Sequence, residues 1–197
     1  NDAYSFRLAN NPSMTLTASG SGVSLQAYTG SASQQWKLSN NSEDTASASA
    51  KLASIMTVHP NGKNLGSSYS FAGASQCMGF GREVFYRMYD QQARWNYDGS
   101  PKSASDGKMY SIKASSTSYA ANSIKGVISK AKPGDVLQMN KPKMHTMIFV
   151  SSDADGFTVY DANWTAANTV RYVKYGAWAS RNSSGITLLH ATNYPKN

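Results

Sequence analysis

Residues 132–164 read KPGDVLQMNKPKMHTMIFVSSDADGFTVYDANW, and the stretch divides itself at its turn residues. Pro133-Gly134 fits the two central positions of a type II turn, because proline pre-sets φ at the first and glycine accepts positive φ at the second. Behind that turn DVLQM reads as a strand, HTMIFVSS as a second and FTVYDANW as a third, with DADG as a hairpin turn. Farther on, VRYVKYG and GITLLHA supply two more. Short strands in succession, joined by tight turns, pair with their neighbours in antiparallel fashion. The C-terminal half therefore predicts an antiparallel sheet.

Upstream the period changes. SQCMGFGREVFYRMYD, residues 75–90, predicts a helix from Gln76 to Asp90, with Val84, Met88 and the side of Cys77 on one stripe. Gly79 and Gly81 each cost about 1 kcal/mol in a helix interior relative to Ala, so this helix is expected to lie against another backbone. A further helix is expected through ASASAKLASIMTV (46–58), capped by Asp44 or Thr45 and stopped by HPNGK. Another runs from Ala120 to Ala131, ended by KPGDV, while residues 95–120 are polar and poorly periodic. Helices first and consecutive strands after give an α+β domain over residues 41–197, its N-terminal helices packed on the sheet.

Residues 1–40 form a separate, small all-β lobe. Phe6 and Leu8, Met14 and Leu16, Val23 and Leu25, and Trp36 and Leu38 mark four short strands between Gly and Asn turns. The ending SQQWKL, with Gln34 and Trp36, resembles the Gln-any-Trp signature of ricin-type β-trefoil lectins, and SLQAY resembles the strand bearing that family's sugar-stacking region. One repeat is a third of a trefoil. The resemblance implies the last lobe of a longer lectin array or a relic of one, with carbohydrate as a partner through upstream repeats.

Composition narrows the function. The 19 basic residues exceed the 11 acidic ones for a net charge of +8, which favours polyanionic partners. The densest basic stretch, with Lys130, Lys132, Lys141 and Lys143, is broken by prolines and forms no basic-aromatic face, so nucleic acid is not the expected partner. No apolar run is long enough to span a bilayer. The abrupt NDAYSF start reads as a processed or trimmed product, so the protein is expected to act outside the cell. One cysteine excludes an intrachain disulfide, and no Cys/His spacing suggests a metal site, so neither metal nor cofactor is expected.

That single cysteine carries the chemistry. A thiol in the first turn of a helix meets unpaired amide N–H groups and the positive end of the helix dipole, which favour the thiolate. His145 opens a strand, and Asp161 and Asn163 stand two apart on the next one, where alternate residues share a face. Cysteine on a helix, histidine on one strand and an acid or amide on its neighbour is the layout of papain-like thiol hydrolases, in which the base takes the thiol proton and the third group fixes the imidazole tautomer. His59, before a Pro-Asn-Gly turn, is expected at the surface, and His190 is expected to be a structural polar group. DADG is expected to be a turn rather than a calcium loop, because the remaining ligand spacing is missing.

With HPNGK, SQCMGF, KPGDVL, HTMIFV and YDANW in order over about 110 residues, the chain resembles the CHAP domain, the cysteine, histidine-dependent amidohydrolase/peptidase branch of the papain-like fold. The resemblance implies Cys77 as nucleophile and His145 as base, and it lays the family's Glu-any-Asn-Trp motif on Asp161, Asn163 and Trp164. Asp is shorter than the usual Glu, so Asn163 is expected to be the direct partner of His145. The backbone N–H of Cys77 is expected to face the oxyanion. The papain glutamine position holds Phe71, which leaves Tyr69, Ser75 and Gln76 as side-chain candidates. The activity implied is that of a secreted bacterial cysteine hydrolase that cleaves amide bonds in cell-wall peptidoglycan, as amidase or endopeptidase. The alternatives are a protease or toxin acting on protein, and a non-catalytic glycan-binding or adhesion module on the same scaffold.

Overall fold

The computed structural model describes residues 4–19, 22–36, 43–118, 120–140, 144–176 and 185–194. The chain divides into two compact units, 1–42 and 43–197.

In the first unit β1 (Arg7–Leu8), β2 (Asn11–Ser19) and β3 (Gly22–Ala27) form an antiparallel sheet of three strands, one fewer than expected. The expected fourth strand is a 3-10 turn at Ala32–Gln34 followed by a single bridge from Trp36 to Tyr4, and Leu38 lies outside the described residues. Gln34 organises the lobe from inside. Its carbonyl oxygen accepts the N–H groups of Thr29 and Gly30, and its amide donates to Thr17 Oγ1 and Ala27 O. Trp36 ties back through Nε1 to Leu16 O at 3.0 Å. Both residues of the Gln-any-Trp signature thus serve the lobe's own backbone. The Tyr28 ring, in the segment resembling a sugar-stacking strand, carries the Arg7 guanidinium 3.7 Å from its centroid.

The second unit mixes helices with antiparallel strands. It begins with α1 (Glu43–Val58), which starts just ahead of the expected caps Asp44 and Thr45. A two-strand hairpin comes next, β4 (Ser70–Phe71) and β5 (Ala74–Ser75), and runs straight into α2 (Gln76–Tyr89). The hairpin loop is Ala72-Gly73, both at positive φ as a tight two-residue loop demands. Asp90 ends α2 in the left-handed conformation at φ 54°.

Beyond α2 lie β6 (Tyr110–Ser116), α3 (Ala121–Ile128), β7 (Val136–Met139), β8 (His145–Asp153), β9 (Gly156–Ala162), β10 (Val170–Gly176) and β11 (Ile186–Ala191). The six strands order as β10-β9-β8-β7-β11-β6, every pair antiparallel. The turn before β7 closes with Asp135 N–H on Lys132 O at 3.0 Å and Gly134 at φ 93°. The β8–β9 hairpin pairs Asp153 with Gly156, so DADG is a two-residue turn, its Asp153 carboxylate accepting the N–H groups of Asp155 and Gly156.

Strand alternation splits the core in two. Val136, Ile148, Tyr160 and Leu189 pack with Leu52, Phe80, Val84 and Phe85 of α1 and α2. Leu137, Met147, Val159 and Leu188 point to the other face and pack with Ile124, Val127 and Ile128 of α3. Among the described residues no helix is long and apolar enough to cross a membrane.

Candidate active site

Cys77 is the second residue of α2 and only 5% exposed. Gln76, just before it, holds a left-handed backbone at φ 56°, a conformation that disfavours a side chain and is kept only where its surroundings demand it. The two glycines of α2 explain how the helix reaches this position. A methyl group on Gly79 would run into the carbonyl of Ala74, and one on Gly81 into the Thr146 side chain. The helix start is therefore pressed against the β4–β5 hairpin, and its next turn against β8. Close approach to backbone holds for Gly79; Gly81 makes room for a side chain.

His145 begins β8 with 1% exposure. Its Nε2 lies 3.1 Å from Asp161 Oδ2, which leaves Nδ1 for the thiol. Each of Cys77 and His145 favours the charged form of the other. Burial pushes the thiol up. The imidazole's hydrogen bond and charge, with the backbone N–H groups of Thr146 and Met78, outweigh it and hold Cys77 below the ordinary thiol range. Burial likewise pulls His145 down, and its hydrogen bonds to Asp161 and Cys77 raise it beyond that. Both shifts favour one state, thiolate beside imidazolium.

Asp161 has no exposure at all. Arg171 grips it from the next strand, Nε donating to Oδ1 at 3.0 Å and Nη2 to Oδ2 at 2.6 Å, and also donates to the Tyr175 hydroxyl at 2.5 Å. Burial would raise this carboxyl, but His145 and Arg171 hold it well below the usual carboxylate range. Trp164 covers the imidazole, ring centroids 4.7 Å apart.

The expectation for Asn163 gives way here. Strand β9 ends at Ala162, and Asn163 turns away at φ 62°. The same-face rule stops with the strand. Asn163 Oδ1 accepts the Asn168 N–H at 2.9 Å and so closes a loop. The contact expected of it belongs to Asp161, short as that side chain is, because β9 runs directly beside β8. Tyr69 also drops out as an oxyanion candidate, since its hydroxyl donates to Glu83 Oε2 at 2.6 Å. Ser75 and Gln76 remain exposed at the helix start.

Contrary to expectation, His59 is 8% exposed, its Nε2 3.0 Å from Glu83 Oε1. His190 Nδ1 lies 2.8 Å from Asp135 Oδ1. The protein's three histidines thus each meet one carboxylate, and His145 alone adds the cysteine. Sequence reasoning missed Arg171. Its signal is the β9–β10 register, which sets Arg171 directly opposite Asp161.

At the start of α2 a cleft of about 710 Å³ opens, walled by Ser75, Gln76 and Met78, which flank the buried Cys77 in the chain, and by Trp95, Tyr97 and Lys102; Cys77 and His145 lie behind that wall rather than in it. A thiol and an imidazole that favour each other's charged forms, next in the chain to residues lining a cleft of that size, have the chemistry to attack an electrophilic carbon and return a proton to the leaving group. No family model matches the chain, and neither a characterised protein nor a solved structure does.

Proposed function

We propose that the protein is a cysteine-dependent amide hydrolase of the papain-like, CHAP type. The observation that carries this reading is the line Cys77–His145–Asp161, with the thiol held low and the imidazole held high. In the reaction the Cys77 thiolate adds to the amide carbonyl carbon. The oxyanion faces the helix start, where the Cys77 N–H is free of intrahelical duty. The imidazolium then gives its proton to the departing amine, leaving a thioester. Water attacks that thioester with neutral His145 as base, releasing the acid and restoring the thiol. Asp161 holds the ring and stabilises its charged form, and Arg171 keeps Asp161 ionised.

Cell-wall peptidoglycan outside a bacterial cell is the proposed substrate. The net charge of +8 suits an anionic wall, and a lectin-like N-terminal unit suits a polymer rich in sugar. Digesting purified wall fragments and casein side by side, with Cys77→Ala as control, tests the reading. New amino termini in the wall fragments, absent with Cys77→Ala, are expected. Cleavage of casein alone would move the substrate to protein, and cleavage undiminished in Cys77→Ala would remove the thiol from the mechanism.

A further inference from the structure

The cleft wall contains a cation without a counter-ion. Arg82 is 1% exposed, and its guanidinium donates to two backbone carbonyls, Ala72 O at 2.8 Å and Trp95 O at 2.6 Å. Its Nε has no acceptor, nor has the indole Nε1 of Trp95, which is fully buried in the same wall. Among the described residues no carboxylate lies within ion-pair distance of Arg82. Asp106, whose charge it feels, is occupied by Arg94 and Ser103. A buried charge is ordinarily paired, because the loss of hydration is otherwise uncompensated.

The rest of the cleft adds positive charge at the rim and little negative charge inside. Lys102 is exposed there, and among the described residues the one acidic lining residue, Asp98, accepts both the N–H and the hydroxyl of Ser100. Among the described lining residues, two cations against one engaged carboxylate leave the cleft net positive, within low-dielectric walls that concentrate the field. Half-buried Tyr97 and exposed Met144 offer flat and flexible apolar surface in the same cleft.

We propose that this cleft is a carboxylate-selective subsite of the Cys77 centre, taking the acidic portion of a peptide amide, with Arg82 as the counter-charge in its wall and Lys102 as the attracting charge at its rim. This rests on the thiol-hydrolase reading and names a substrate class for it. A peptide whose carboxylate lies a few atoms from the scissile carbonyl is drawn in, and its carboxamide counterpart is not.

The single cysteine gives a clean test, because thiol alkylation, read by peptide mapping at Cys77, has one address. Native protein is treated with iodoacetamide, which is neutral, or iodoacetate, which carries the carboxylate. In each case the thiolate displaces iodide and a carbon–sulfur bond forms. The neutral reagent reads the activated thiol, and the ratio of the two rates reads the cleft's charge. His145 adds to that ratio in every variant, so the decision lies in the change on mutation. Arg82→Gln is expected to lower the iodoacetate-to-iodoacetamide ratio at least fivefold and Lys102→Gln two- to threefold, while Arg82→Lys retains most of it. Should Arg82→Gln fail to fold, exposed Lys102 and the charge-conserving Arg82→Lys decide the matter. Rapid iodoacetamide labelling with a ratio that none of these variants changes overturns the subsite and leaves the hydrolase standing. Labelling by either reagent only after denaturation overturns both.

Discussion

At the scale of the residue, the site turns on which neighbour holds the imidazole. Asp161 touches His145 at 3.1 Å, whereas Asn163 spends its side-chain oxygen on Asn168. Asp161→Ala should therefore lower kcat on any hydrolysed amide by tenfold or more, about 1.4 kcal/mol in the barrier, with KM little changed. Asn163→Ala should change kcat less than about threefold, its effect falling on stability through a lost loop hydrogen bond worth roughly 1 kcal/mol. Steady-state kinetics and urea midpoints on the two variants check this. A larger kcat loss in Asn163→Ala would return the role to the amide. Cys77 and His145 could be found from sequence because each sits at the end of a legible element. The choice between Asp161 and Asn163 could not, because it depends on β9 stopping at Ala162, one residue too early for the alternation to reach Asn163.

At the scale of the element, α2 is the piece on which the rest is built. Only Gln76, Tyr86 and Arg87 of its fourteen residues are exposed. Gly79→Ala gains about 1 kcal/mol of helix propensity but drives a methyl into the Ala74 carbonyl. We expect net destabilisation of roughly 1–3 kcal/mol, with slower native labelling of Cys77 as the helix start moves. Gly81→Ala overlaps the Thr146 methyl and otherwise only touches Trp95 at ordinary contact distance, so Thr146→Ala should recover much of its loss. Thermal denaturation of the single and double variants measures that coupling. Burial also explains how the helix looks in sequence. A helix covered on nearly all sides buries more than the stripe of Val84, Met88 and Cys77 that its sequence shows, and even its charged Arg82 and Glu83 are buried. Strand β6 escaped notice for the opposite reason. It is an edge strand with Ser111, Ile112, Lys113 and Ser115 exposed, so its composition shows no alternation.

At the scale of the whole molecule, both buried clusters belong to residues 43–197. That segment expressed alone should unfold cooperatively and label at Cys77 as the full chain does; a non-cooperative transition would contradict it. Acid stability rests on the carboxylates. Asp161, Glu83 and Asp106 are each held below their ordinary range, their partners outweighing burial. Their contribution is complete above the unfolded values of about 4 and is lost as pH falls through the lower folded values. Asp135 has the opposite sign. Burial raises it despite His190, so its contribution is present below the unfolded value and is lost as pH rises through the folded one. Urea midpoints should fall steeply below pH of about 4, and Asp135→Asn should enlarge the difference between neutral and acid midpoints. Five of the six strands of the sheet, and the helices, were legible because turn residues punctuate them. The lobe's Gln34 and Trp36 were legible as a pair, but not as hydrogen-bonding braces for their own backbone.

The most direct test of the central claim is the pH dependence of Cys77 alkylation by iodoacetamide in the native protein, wild type against His145→Ala. The account predicts rapid labelling that persists well below the free-thiol pKa of about 8.5, because His145 stabilises the thiolate. In His145→Ala the profile should move up toward that value. A wild-type profile centred at or above the free-thiol value, unchanged by His145→Ala, would show that Cys77 is only a buried cysteine and contradict the account.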